Sequence, residues 1–239
     1  MCFGPSRHFA VWSLLEGLFL ISRALLVKIK RDLENQIRGL LKNLGLVIDR
    51  AKMNVFAARA AELIQDRPEL TAAIVPLLKT REVIERQIAD LDRKVLRLAR
   101  NNTQVRRFMT VPAVGPITAL CYLATIDDPT RFKKSRSVGA YAGLTTRRYR
   151  SGETDWTGRI SKCGDAMLRT YLYEAANVLL TRIAKWSALK SWGMRIAKRS
   201  SLRKAKVAVA RKLAVILHRM WVDGTEFNWS SKEVAARAA

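Results

Sequence analysis

The stretch Arg147-Arg148-Tyr149-Arg150-Ser151-Gly152 holds the residues best suited to chemistry, a serine followed by glycine with three arginines in the four positions before it. A serine-glycine pair marks a flexible, exposed turn. Guanidinium groups bind phosphate oxygens through paired, charge-assisted hydrogen bonds. Two readings of this spacing stay open. In one, Ser151-Gly152 is a turn beside arginines that hold the phosphates of a polyanion. In the other, the Ser151 hydroxyl attacks phosphorus and forms a phosphoserine that conserves bond energy for rejoining, while Arg147, Arg148 and Arg150 stabilise the developing charge. Spacing by itself favours the first.

Other segments offer further phosphate contacts. Arg159-Ile160-Ser161-Lys162-Cys163-Gly164-Asp165 leads into a helix carrying Arg169. Asp165 suits its N-cap, and Arg159, Lys162 and Arg169 suit a phosphate backbone. Ser161 is the rival nucleophile, without an arginine cluster immediately before it. Val111-Pro112-Ala113-Val114-Gly115-Pro116 reads as a tight turn opening a helix, as in helix-hairpin-helix modules, where backbone N–H groups near Gly115 hold a phosphate. An ordinary helix entry with Pro116 in its first turn is the alternative. Asp127-Asp128-Pro129-Thr130-Arg131-Phe132 is a turn that sends Phe132 inward and leaves Lys133, Lys134 and Arg136 exposed. Its adjacent carboxylates diverge, with no third nearby in sequence, which favours turn formation and capping over a metal site. The basic run from Arg195 to Lys212, around Trp186 and Trp192, reads as a non-specific backbone-binding face.

The elements that must position these residues are helical. Leu26, Ile29, Leu33, Ile37, Leu40 and Leu44 recur at three- and four-residue spacing, and a second helix runs through Met53, Phe56, Ala60 and Ile64 until Arg67-Pro68 closes it. Leu77, Ile84, Ile88, Leu91, Val95 and Leu98 follow a heptad pattern broken only by Arg81, which predicts an antiparallel hairpin or a coiled coil. After Asn101-Asn102-Thr103, glycine and proline punctuate shorter helices up to a last one over Val207 to Trp221. The expected fold is mainly α: a divergent N-terminus over 1–22, a helical or coiled-coil arm over 23–102, a compact, mostly helical DNA-binding domain over 103–226 with a helix-hairpin-helix-like turn, and a frayed tail over 227–239.

The net charge of +24 requires a polyanionic partner. Residues 101–239 hold 26 Lys and Arg against 9 Asp and Glu, and residues 1–100 hold 18 against 11, which places that surface in the second half. Cys2, Cys121 and Cys163, with His8 and His218, form no metal-ligand spacing and suit a reducing cytoplasm. Glu16 and Arg23 interrupt the apolar stretch Phe9 to Leu26, so a buried helix is expected there and no membrane partner.

Taken in order, Val111-Pro112-x-Val114-Gly115-Pro116-x-Thr118-Ala119, Asp128-Pro129-x-Arg131-Phe132, Tyr141-Ala142-Gly143-Leu144, Ser151-Gly152 and Ile160-Ser161-Lys162-x-Gly164-Asp165-x-x-Leu168-Arg169 resemble the C-terminal half of the insertion-sequence 110/116/902 (DEDD) transposases. Arg31 to Leu41 is similar to that family's connecting helix. The resemblance implies a bacterial, nucleoid-associated recombinase that binds DNA, with Ser151 as nucleophile. It implies four acidic Mg2+ ligands on a separate RuvC-like domain, a composite site within an oligomer, and a structured guide RNA. That acidic domain should lie upstream of residue 23, where nothing resembles it. No cofactor is therefore expected in this chain, which reads as a truncated copy, inactive alone, that acts by self-association or with a full-length transposase. A non-catalytic DNA- or RNA-binding protein is the alternative.

Overall fold

The computed structural model describes residues 11–48 and 55–229. It is mainly α, as the spacing predicts, with one two-stranded sheet. The chain divides into two compact units, residues 18–94 in one and, in the other, the residues from Val95 onward together with those up to Gly17, and both boundaries fall inside helices.

In the first unit, α1 (Val11–Lys42), α2 (Phe56–Ile64) and α3 (Pro68–Asn101) pack through Ile37, Leu41, Ile48, Phe56, Ala60, Ile64 and Ile74. Ion pairs fix the direction: Arg23 with Asp92, Lys30 with Glu85 at 2.6 Å, and Glu34 with Arg81 at 2.7 Å. Numbers rise along α1 as they fall along α3, so the two helices are antiparallel. The arginine that breaks the heptad is explained here. Arg81 is buried, donates to Glu34 Oε1 and, at 2.9 Å, to Glu85 Oε2, and lies 5.4 Å from the centre of the Phe56 ring. Lys30 first, and Arg81 after it, hold the Glu85 carboxyl below its ordinary range.

A single helix crosses residue 22, so no break separates the expected N-terminal segment from the arm; residues 1–10 lie outside the described residues. The apolar stretch is also only partly buried. Leu20 is covered, while Leu18, Ile21 and Leu25 are 58%, 57% and 55% exposed, because the charged pairs to α3 occupy one side of α1 and leave the other open. No described helix is long and apolar enough to cross a membrane.

The second unit begins with the last turns of α3, where Val95 and Ala99 are buried. Asn102 ends that helix and caps α4 (Thr103–Phe108) by accepting from Val105 N–H at 3.0 Å. A turn through Ala113 leads to Gly115, the N-cap of α5 (Pro116–Ile126). Next come a 3-10 turn (Pro129–Arg131), α6 (Arg136–Tyr141), the strands β1 (Thr146–Ser151) and β2 (Thr154–Ile160), α7 (Ala166–Thr181), α8 (Ala188–Arg199) and α9 (Leu202–Asp223). Helix α9 is the hub. Its buried Ala205, Val209, Ala210, Leu213, Ala214 and Leu217 let α6, α7 and α8 approach closely, and its Ala214 carbonyl accepts from the buried Tyr122 hydroxyl of α5 at 2.8 Å. The chain stays attached past α9: Phe227 N–H donates to Thr110 Oγ1 at 3.0 Å, and Lys185 lies over the Trp229 ring. The tail expected to fray from 227 is thus held through Trp229, and its remainder lies outside the described residues.

The Arg81 pairing yields a stability prediction. Glu34→Ala leaves a buried guanidinium short of a carboxylate and should destabilise the first unit by about 3 kcal/mol. The double change Glu34→Met, Arg81→Met should recover most of that loss in urea unfolding.

Candidate nucleic-acid interface

The arginine-serine stretch is a β-strand. Ser151 pairs with Thr154, Arg150 with Asp155, Tyr149 with Trp156 and Arg148 with Thr157, and a register shift at Arg147 separates these from Thr146 and Ile160. Gly152 and Glu153 form the two-residue loop, and Gly152 has φ +56°, the positive value that the first position of such a loop requires. All of β1 is exposed, Ser151 at the tip included.

Strand alternation sorts the side chains. Arg148, Arg150, Asp155 and Thr157 share one face; Tyr149, Ser151, Thr154 and Trp156 share the other, with Gly158 next to the two rings. Arg148 and Arg150 therefore point away from the serine, and Arg147 lies four residues before it. Arg148 is bidentate to Asp155, with Nε at 2.8 Å from Oδ1 and Nη2 on Oδ2. The contact raises the Arg148 pKa and holds the Asp155 carboxyl below the usual carboxylate range. Arg147 donates to the Ser161 carbonyl at 3.1 Å. Arg150 and Arg159 have no carboxylate partner among the described residues, which leaves them available to an outside anion.

The base of the hairpin explains the two glycine motifs around it. Thr145 O accepts from Ser161 N–H at 2.8 Å, and Gly143 O from Lys162 N–H at 3.1 Å. A Cβ on Gly143 would lie 2.2 Å from the Cys163 carbonyl oxygen, and one on Gly164 1.8 Å from that of Tyr141. Both glycines also have positive φ, +68° and +99°. Arg169 reaches back to the Ala142 carbonyl at 3.3 Å, and Asp165 caps α7 by accepting from Leu168 N–H. Ser161 is half-buried at this base, with its Oγ 3.4 Å from Cys163 N–H, whereas Lys162 is exposed.

The remaining candidates stand elsewhere. Gly115 is at the start of α5; Lys133 and Lys134 are exposed before α6, in a segment held by His218 of α9. The buried His218 ring donates from Nε2 to the Pro129 carbonyl at 3.0 Å, and its Nδ1 meets Ser135 Oγ at 3.0 Å. No hydrogen bond or ion pair joins Gly115 or these lysines to the hairpin among the described residues. Asp128 accepts from Thr130 Oγ1 and N–H, both at 2.8 Å, which lowers its pKa and fits the capping role. No group of three or more His, Cys, Asp or Glu side chains gathers among the described residues. Sequence reasoning missed the strand pairing and the stacked Tyr149 and Trp156, whose aromatic character at equal distances from the Gly152-Glu153 pair was the available signal.

Fold and site together define a basic, mainly helical protein with an exposed, arginine-bearing hairpin. Residues 105–190 match the Transposase IS116/IS110/IS902 family, and the chain belongs to that family. It is 32% identical to the transposase for insertion sequence element IS1111A of Coxiella burnetii, over 80% of this chain and 54% of that one. It is 27% identical to the transposase for insertion sequence element IS1328 of Yersinia enterocolitica, over 94% of this chain and 69% of that one. The chain thus spans about half the length of the first relative.

Two outcomes follow from this geometry. Gly164→Ala should destabilise the second unit by about 3 kcal/mol in denaturant unfolding, because backbone must move, whereas Gly152→Ala should cost about 1 kcal/mol. The lowered Asp155 pKa means that its pairing with Arg148 contributes fully above about pH 4 and is lost only as the pH falls through the lowered value. Amide exchange in β1 should therefore stay slow in mild acid, and Asp155→Asn should speed it at neutral pH.

Proposed function

We propose that the chain acts in DNA transposition, with the hairpin meeting the DNA backbone and Ser151 serving as the strand-cleaving nucleophile. The observation that carries this reading is the exposure of Ser151 at the tip of a cationic hairpin inside the segment that matches the family. Arg150 and Arg159, with Arg147, Lys162, Lys133 and Lys134, supply the phosphate contacts; Arg148 is engaged by Asp155 and orders the strand. Gly115 offers a further backbone contact at the start of α5.

In the step itself, Ser151 Oγ forms a bond to phosphorus and a strand oxygen leaves with a proton. Later attack by a strand hydroxyl releases the serine. Activating that hydroxyl would fall to an acidic metal centre in a composite site completed in an oligomer or by a full-length family member. The open apolar side of α1, with Leu18, Ile21 and Leu25, supports association between copies. A structured guide RNA would meet the same positive surface.

The test mixes the chain with an intact family member and its DNA. Ser151→Ala should abolish the covalent protein–DNA adduct attributable to this chain and leave binding intact; an unchanged adduct sinks the assignment. Six phosphate contacts should cost about a thousandfold in affinity between ~50 and ~200 mM salt. Salt-sensitive binding with no adduct under any condition would favour the non-catalytic alternative.

A further inference from the structure

The two stacked aromatics of the hairpin have no part in the proposed cleavage step. Tyr149 and Trp156 stack across the strands with ring centroids 4.2 Å apart and planes 14° from parallel. Each ring of such a pair covers one face of the other and leaves its outer face open; accordingly Tyr149 is 43% and Trp156 53% exposed. Gly158 makes room for this arrangement. A Cβ there would lie 3.0 Å from Tyr149 Cε2 and 3.3 Å from Trp156 Cζ3, so a side chain at 158 would lift both rings off the strand.

The neighbours of the stack decide what it fits. Ser151 and Thr154 form the next cross-strand pair on the same face, two residues or about 7 Å along the strands. Arg150, on the opposite face, and Arg159, in the register shift, give the hairpin a positive field. A second copy of so cationic a hairpin would be repelled, whereas a nucleotide joins a flat π surface to a negative phosphate. Paired bases inside a duplex hide their faces against one another, so only an unpaired base can stack on an outside ring.

We propose that the outer face of the Tyr149–Trp156 stack receives one unpaired DNA nucleobase and so holds the adjoining phosphate beside Ser151. This rests on the DNA reading of the hairpin. Tyr149 and Trp156 are then positioning residues, and Trp156, the more exposed, presents the larger surface. Stacking tolerates any base, so the platform selects for an unpaired strand rather than for sequence.

The test uses the full chain with two probes at equal salt: a short single-stranded DNA carrying one 2-aminopurine, and a duplex dumbbell closed at both ends. Trp156→Ala should weaken single-strand binding by about tenfold and change dumbbell binding by less than about twofold. The wild type and Trp156→Phe, which keeps a ring in the strand, should quench 2-aminopurine emission on binding, and Trp156→Ala should not. Equal losses on both probes, or single-strand affinity and quenching that survive Trp156→Ala, overturn the platform while the DNA reading stands. A wild type that binds neither probe removes the DNA reading and the platform with it.

Discussion

The candidate site depends on the place where two carbonyls approach two glycines too closely for any side chain. Tyr141 O faces Gly164 and Cys163 O faces Gly143, both glycines with positive φ, so the chain leaving α6 and the chain entering α7 are locked back to back. The hairpin between them has no such support. Apart from this base, its strands pack extensively only on each other among the described residues, and an isolated two-stranded hairpin is marginal in water. The glycine closure turns that weakness into an arrangement: a fixed base continuous with α7, and an exposed tip free to meet a large ligand.

The closure is itself held by capping. Asp165 starts α7 directly after Gly164, and Arg169, one turn into that helix, returns to the Ala142 carbonyl. Helix α7 packs on α9, and α9 holds the Pro129–Ser135 segment through His218. Helix packing therefore reaches the hairpin base by way of polar contacts with buried backbone, the kind of contact that is costly to leave unmade.

What could be read from the sequence was whatever apolar spacing or a capping residue writes into it. The α1 and α3 stripes, the end of α3 at Asn102, the Asp128 turn and the Asp165 cap are all local signals, and each has its counterpart in the structure. The hairpin was not legible, because period-two patterning shows only where one face is buried. From Thr146 to Arg159 neither face is buried, and arginine, threonine and aspartate alternate with just two aromatics. Reading Arg148, Arg150 and Ser151 as a cluster followed from counting along the chain, whereas the pleat sends the arginines one way and the serine the other. Arg81 failed in the opposite sense: an apparent flaw in the heptad is a buried residue whose partners, Glu34 and Glu85, lie 47 positions before it and one turn after it.

The arginines and the aromatics of the hairpin divide its labour by the range of the forces involved. Arg150 and Arg159 act through a field that extends over roughly 10 Å at moderate salt and is blind to sequence and strandedness. The Tyr149–Trp156 stack acts only at contact, so it can discriminate where the arginines cannot. The stack also supplies much of the cross-strand attraction that keeps the hairpin paired, worth about 1 kcal/mol for an aromatic pair. Burying it under other protein would strengthen the strands but remove the contact surface. Leaving it in water keeps the hairpin marginal at its tip and rigid at its glycine base, with the outer faces of both rings open.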